Sequence, residues 1–171
     1  FMRTLMGLPP VVVGIIVYVL FSGTGPFGNL GLIYSVKLMI IAQVVLITPI
    51  VAGMTETAIS PIVKNALPSL KGMGANPFKR VFLIIGESKY QLIAVYLFAF
   101  ARAISEVGAV QIVGGNILYK TRVMTTAIAL NYNTGDFSMA IALGFILLMI
   151  SLCVNCVAAL LQFGLKRRKH A

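Results

Sequence analysis

The chain has 171 residues, 59% of them apolar and only 11% charged, with a net charge of +10. A soluble domain of this size is about 45–50% apolar and about 25% charged, so an ordinary water-soluble fold is excluded. The apolar residues form long blocks without the period-two alternation of an outer-membrane barrel, which leaves an all-α, polytopic membrane protein.

A helix needs about 20 largely apolar residues to cross the hydrocarbon core. The first such stretch covers about 5–21 and includes Pro9, Pro10 and Gly14. Adjacent prolines remove backbone donors and kink a helix, which is tolerable where neighbouring helices or internal water satisfy the freed carbonyls. A turn-rich run, Ser22-Gly-Thr-Gly-Pro-Phe-Gly-Asn29, ends it. The second span covers about 32–54, with Lys37 near one end and Thr48-Pro49 toward the other.

A polar, Pro- and Gly-containing connection follows over about 56–89. Within it Leu67, Leu70, Met73 and Phe78 are interleaved with Lys71, Lys79 and Arg80, while Gly74 and Asn76-Pro77 permit a sharp bend. The pattern suits a short helix, a turn and a second helix lying flat at the membrane, either as an ordinary amphipathic loop or as a knob for a groove on another protein.

The third span covers about 90–113 and contains Arg102 and Glu106. Ionisable groups at membrane depth are expensive and face a protein interior or a polar path. At i and i+4 the two share a helix face, which fits a structural ion pair or the border of a path. The small residues Ala99, Ala103, Ser105, Gly108 and Ala109 would let another helix approach closely. Next come Gly114-Gly-Asn116, Tyr119-Lys-Thr-Arg122 and Asn131-Tyr-Asn-Thr-Gly-Asp136. Asp136 reads as the N-cap of the last helix. The fourth span, about 137–165, ends in Lys166-Arg-Arg-Lys169.

With four spans, the N-terminal end, the long connection and the C-terminal tail share one side. That side holds Arg3, Lys64, Lys71, Lys79, Arg80, Lys89 and 166–169, ten of the fourteen basic residues. Positive residues favour the cytoplasm, so these parts are expected inside, C-terminus included. The charge is thus a topology signal, and nucleic acid is not a partner.

Catalytic and metal chemistry finds little support. His170 stands alone in the tail, and Cys153 and Cys156 lie three apart in an apolar run. With only Glu56, Glu87, Glu106 and Asp136 as carboxylates, an acid/base pair is hard to assemble. Gly114-Gly-Asn-Ile-Leu-Tyr-Lys-Thr121 approaches a phosphate-binding loop but has tyrosine where its second glycine belongs. The chain is therefore read as no enzyme and as binding no cofactor.

The stretch 66–84 resembles the cytoplasmic coupling loop of type I ABC-importer permeases. Gly74-Ala75-Asn76-Pro77 matches the family's Gly-Ala-x-Pro and Ile84 its isoleucine, while Pro68-Ser69-Leu70 and Gly86-Glu87 depart from its Glu-Ala-Ala and Leu-Pro. Arg102-Ala-Ile-Ser-Glu106-Val-Gly-Ala-Val, with Gly114-Gly-Asn116 and Thr121-Arg122-Val-Met-Thr-Thr-Ala-Ile128, is similar to the branch importing sulfate, molybdate and tungstate. The 2–13 segment and the Gly-Gly-Asn-Ile run look most like tungstate permeases.

The resemblance covers nearly the whole chain and implies a single permease domain over 1–171. Such permeases have five or more spans, so about one N-terminal span is expected beyond the four read here; the start at Phe1 fits the remainder of a longer protein. It further implies a homodimer in the cell's inner membrane, working with a cytoplasmic ATPase dimer that binds ATP and Mg, and with an extracytoplasmic oxyanion-binding protein. Leu67, Leu70, Lys71, Gly74, Ala75, Asn76, Pro77 and Phe78 would couple to the ATPase. Arg102, Glu106 and Gly108 would border the path or its gate. Asn116, Lys120 and Arg122 would meet the anion or the binding protein outside. A secondary transporter or channel is the rival reading.

Overall fold

The computed structural model describes residues 6–167, with side chains described except at 158 and 161–167. Arg3 and the cluster 168–170 lie outside the described residues. Among the described residues seven α-helices follow one another: α1 (Pro10–Phe21), α2 (Val36–Gly72), α3 (Pro77–Glu87), α4 (Lys89–Ile104), α5 (Gly108–Gly114), α6 (Met124–Asn133) and α7 (Phe137–Arg167). A 3-10 turn at Gly28–Leu30 separates α1 from α2, and no strand occurs among the described residues.

The helices differ from the expected spans in instructive ways. Pro9 is extended, at ψ 131°, and Pro10 occupies the first turn of α1, where its missing N–H costs nothing. That start leaves α1 only 12 residues, about 18 Å at 1.5 Å per residue, short of a bilayer. By contrast, α2 passes without interruption from the second span through the expected connection, for 37 residues, despite Pro49, Pro61 and Pro68. Ser35 starts it by accepting the Leu38 N–H, and the Thr48 and Thr57 hydroxyls donate to Val44 O and Gly53 O one turn back.

The third expected span is broken at 105–107 into α4 and α5, and α6 fills much of the expected outer loop. By length and composition, Val36–Gly72 and Phe137–Val157 can each cross a membrane. The pair α3 and α4, bent by 67°, passes only when taken as one span. Four spans were expected; prolines shorten the first and the break divides the third. At the start of α7, Asp136 Oδ1 accepts the Met139 N–H at 3.1 Å, which makes it the expected cap.

The core joins Val13 and Val17 of α1, Leu38, Met39, Ala42 and Leu46 of α2, and Val110 and Val113 of α5. Lipid tails are as apolar as these side chains, so close packing rather than transfer from water holds such helices together. Gly14 lets α1 approach the α5 backbone closely: a Cβ at Gly14 would stand 2.8 Å from the Ala109 Cα. Part of the small-residue stripe is therefore used inside one chain, between α1 and α5.

Candidate functional site

Three places hold the residues singled out in the sequence: the break between α4 and α5, the turn between α2 and α3, and the loop between α5 and α6.

At the break, Arg102 closes the last turn of α4 and Glu106 lies just beyond it. The two therefore straddle a helix end instead of sharing one continuous helix. The Arg102 guanidinium still donates from Nη1 to Glu106 Oε2 at 2.7 Å. The Arg102 side chain is 30% exposed and that of Glu106 only 3%. The second carboxylate oxygen accepts the Ala109 N–H at 3.2 Å, at the start of α5, where unpaired amide groups favour negative charge. A buried carboxylate is thus satisfied at both oxygens within the chain, as its depth demands.

Neighbouring helices hold the break from both sides. Gln43 of α2 donates from Nε2 to Ala103 O at 3.3 Å, and Thr125 of α6 donates from Oγ1 to Glu106 O at 3.2 Å. Gln43, Glu106 and Thr125 supply polar lining to an otherwise apolar cavity of about 430 Å³, which Met39, Phe100 and Leu147 also line. Arg102 is not among its lining residues. Gly108 faces α1, where an added Cβ would come within 3.0 Å of Val11 Cγ2. Gln43 and Thr125 were not singled out in the sequence. Gln43 had a signal, an amide inside an apolar run; a threonine beginning a short helix has none.

The turn is built by backbone geometry. Gly74 has φ +66°, the left-handed conformation that glycine adopts without strain. Its N–H bonds Lys71 O at 3.0 Å and the Ala75 N–H bonds Leu70 O at 3.2 Å, the paired arrangement that closes a helix through a glycine. Asn76 is extended, as the residue before a proline prefers, and Pro77 begins α3. Arg80 then reaches back, donating from Nε to Ala75 O at 2.6 Å. Leu67, Leu70 and Ala75 are half-buried, while Lys71, Gly74, Asn76, Pro77 and Phe78 are exposed. The expected helix, turn and helix are present, with the first helix being the end of α2.

On the far side of α5, Asn116 and Arg122 come together: Arg122 donates from Nε to Asn116 Oδ1 at 3.3 Å and from Nη2 to Asn116 O at 3.4 Å. Lys120 is exposed and shares no side-chain bond with them. The loop is anchored by buried Thr121, whose hydroxyl accepts the Ile117 N–H and donates to Gly114 O. The segment resembling a phosphate-binding loop follows helix α5, not the strand such a loop requires. Among the described residues no group of three or more His, Cys, Asp or Glu is placed to hold a metal ion, and Cys153 and Cys156 are free and exposed.

Comparison with known proteins agrees with this architecture. The family model for the inner membrane component of binding-protein-dependent transport systems matches residues 1–167. A tungstate uptake system permease protein of Peptoclostridium acidaminophilum is 45% identical, over 93% of this chain and 70% of its own length. One of Campylobacter jejuni with the same description is 40% identical, over 90% of this chain and 64% of its own. A probable anion ABC transporter permease protein of Haloferax volcanii is 36% identical, over 90% and 68% respectively. Permease proteins described for sulfate and molybdenum transport stand at 25–26% identity. The chain thus spans 64–70% of the length of the three most fully described here. The match over 1–167, on an all-helical fold with membrane-length α2 and α7, means that the chain belongs to the family of inner membrane components of binding-protein-dependent transport systems.

Proposed function

We propose that this chain is the transmembrane permease subunit of an ATP-driven importer of a tetrahedral oxyanion, and that the anion is tungstate. The observation that carries the reading is the likeness, at 40–45% identity over at least nine-tenths of the chain, to two permeases described for tungstate uptake. Two copies would form the passage. A cytoplasmic ATPase pair, which binds the ATP and Mg, would grip the end of α2 and its turn, with Leu67, Leu70, Lys71 and Gly74–Pro77 as the contact. An extracytoplasmic binding protein would deliver the anion to the side carrying Asn116, Lys120 and Arg122. The basic residues on the turn support a cytoplasmic side for it and for the end of α7.

In this scheme the chain makes and breaks no covalent bonds. Its work is to present a passage whose one deeply buried acid is neutralised by Arg102. A carboxylate left bare would repel an anion in transit, and a bare guanidinium would hold it too long. The pair avoids both.

Reconstitution into proteoliposomes with the ATPase and binding protein tests the reading. ATP-dependent uptake of tungstate, competed weakly by molybdate and sulfate, is the expected result. Stronger uptake of molybdate or sulfate would move the substrate to that second reading, which the relatives at 25–26% identity represent. Uptake without any ATPase would replace the scheme with a secondary transporter or channel.

A further inference from the structure

Helix α3 carries an apolar stripe left exposed among the described residues. Phe78 is 87% exposed, Phe82 81% and Ile85 48%. At i, i+4 and i+7 they lie along one face of the helix. On the other side Arg80 is committed to Ala75 O and Ile84 is half-buried, while Leu83 is 45% exposed. Contiguous apolar surface of this kind marks a protein or membrane contact.

Three observations favour lipid over a protein groove. The first is direction. Helix α3 is bent by 67° from α4. If α4 crosses the bilayer, α3 lies closer to the membrane plane than to its normal. The second is the junction. Ser88 is fully buried and its hydroxyl donates to Ile84 O at 2.7 Å, which fixes the elbow, while Lys89 Nζ stands 5.2 Å from the Tyr90 ring centre. A lysine and a tyrosine at the foot of a crossing helix are interfacial anchors. The third is charge: from 64 to 89 the chain has Lys64, Lys71, Lys79, Arg80 and Lys89 against the single acid Glu87. Such a segment is drawn to anionic headgroups.

We propose that α3 is an interfacial helix, with Phe78 and Phe82 seated at the headgroup–acyl boundary of the inner leaflet and the neighbouring lysines on anionic lipid. Phe78 then belongs to the lipid contact and not to the ATPase contact, which ends at Pro77. The inference rests on α4 crossing the bilayer and on the inward orientation, and is independent of which anion is carried.

The sequence has no tryptophan, so Phe82→Trp introduces a residue that can be excited selectively over the six tyrosines, at an exposed position. The purified permease would be placed, without ATPase, in nanodiscs of phosphatidylcholine brominated near the headgroup, mixed with phosphatidylglycerol. The expected result is blue-shifted emission that loses more than half its intensity to the bromolipid and resists aqueous iodide. The loss should shrink when phosphatidylglycerol is omitted; equal loss would overturn the role given to the lysines. Water-like emission quenched by iodide would overturn the proposal. A blue shift that develops only when the ATPase is added would overturn it in favour of protein docking. Tyr96→Trp, on an exposed position of α4, checks the premise: deep bromolipid should quench it, and its failure to do so removes the crossing on which the proposal rests. The uptake assay reports separately on the importer reading.

Discussion

The carboxylate of Glu106 joins the end of one helix to the start of the next: one oxygen accepts from Arg102 at 2.7 Å and the other from the Ala109 N–H at 3.2 Å. The break between α4 and α5 is therefore closed by a single side chain, with a cation on one side and helix-start amides on the other. Arg102→Ala strands a buried charge, and removing one partner of a buried pair costs about 3–5 kcal/mol; with Arg102 partly in solvent the lower end is expected. Glu106→Gln keeps the acceptor toward Ala109 and removes the charge. The expected order of thermal stability in detergent is wild type, Glu106→Gln, Arg102→Ala. An Arg102→Ala protein as stable as wild type contradicts this account.

Gly74→Val places a β-branched residue at φ +66°, a conformation that costs an ordinary L-residue roughly 1–2 kcal/mol and a β-branched one more. No atom lies near the added Cβ, so the effect comes from the backbone alone. Gly74→Asn, which tolerates the left-handed region, should be much milder. Under the proposed coupling, ATPase stimulation by the loaded binding protein falls sharply for Val and little for Asn, while membrane insertion is normal for both. Equal stimulation in the two variants argues against a mechanical role for the turn.

Gly14 and Gly108 make an internal comparison. A Cβ at Gly14 meets backbone, the Ala109 Cα at 2.8 Å, whereas one at Gly108 first meets the movable Val11 Cγ2 at 3.0 Å. Gly14→Ala should force α1 from α5 and cost about 1–3 kcal/mol, the usual scale of overpacking. Gly108→Ala should cost less. Melting of the two purified variants decides, and the reverse order would discredit the α1–α5 contact.

Gln43→Leu and Thr125→Val each remove the side-chain donor to a backbone carbonyl at the break. Each is expected to cost about 1 kcal/mol, and the loss should be local. Hydrogen exchange should rise at residues 105–109 and stay unchanged in α7. A uniform rise over the whole chain would show global destabilisation instead.

Much of this architecture is legible in the amino-acid order, for physical reasons that also mark where legibility stops. Block-like apolar runs disclose helices in lipid, and a glycine followed by Asn-Pro discloses the turn at 73–76 because no other residue types suit those backbone angles so well. The spacing of Arg102 and Glu106 discloses their pairing. The break between them is not disclosed, since no proline interrupts that run; it is held by Gln43 and Thr125, whose partners are remote along the chain. The reach of α2 is hidden for the opposite reason. Pro61, Pro68, Lys64 and Lys71 read as a connection, yet the helix continues through them.

The unbroken run from Val36 to Gly72 has a mechanical consequence. At 1.5 Å per residue its 37 residues measure about 55 Å, nearly twice the hydrocarbon thickness. Pivoting such a rod by about 5° around its upper end sweeps the lower tip through roughly 5 Å, close to one helical pitch. Gln43 rides near the pivot and Lys71 near the tip, so a broad stroke at one is geared down to a sub-ångström shift at the other.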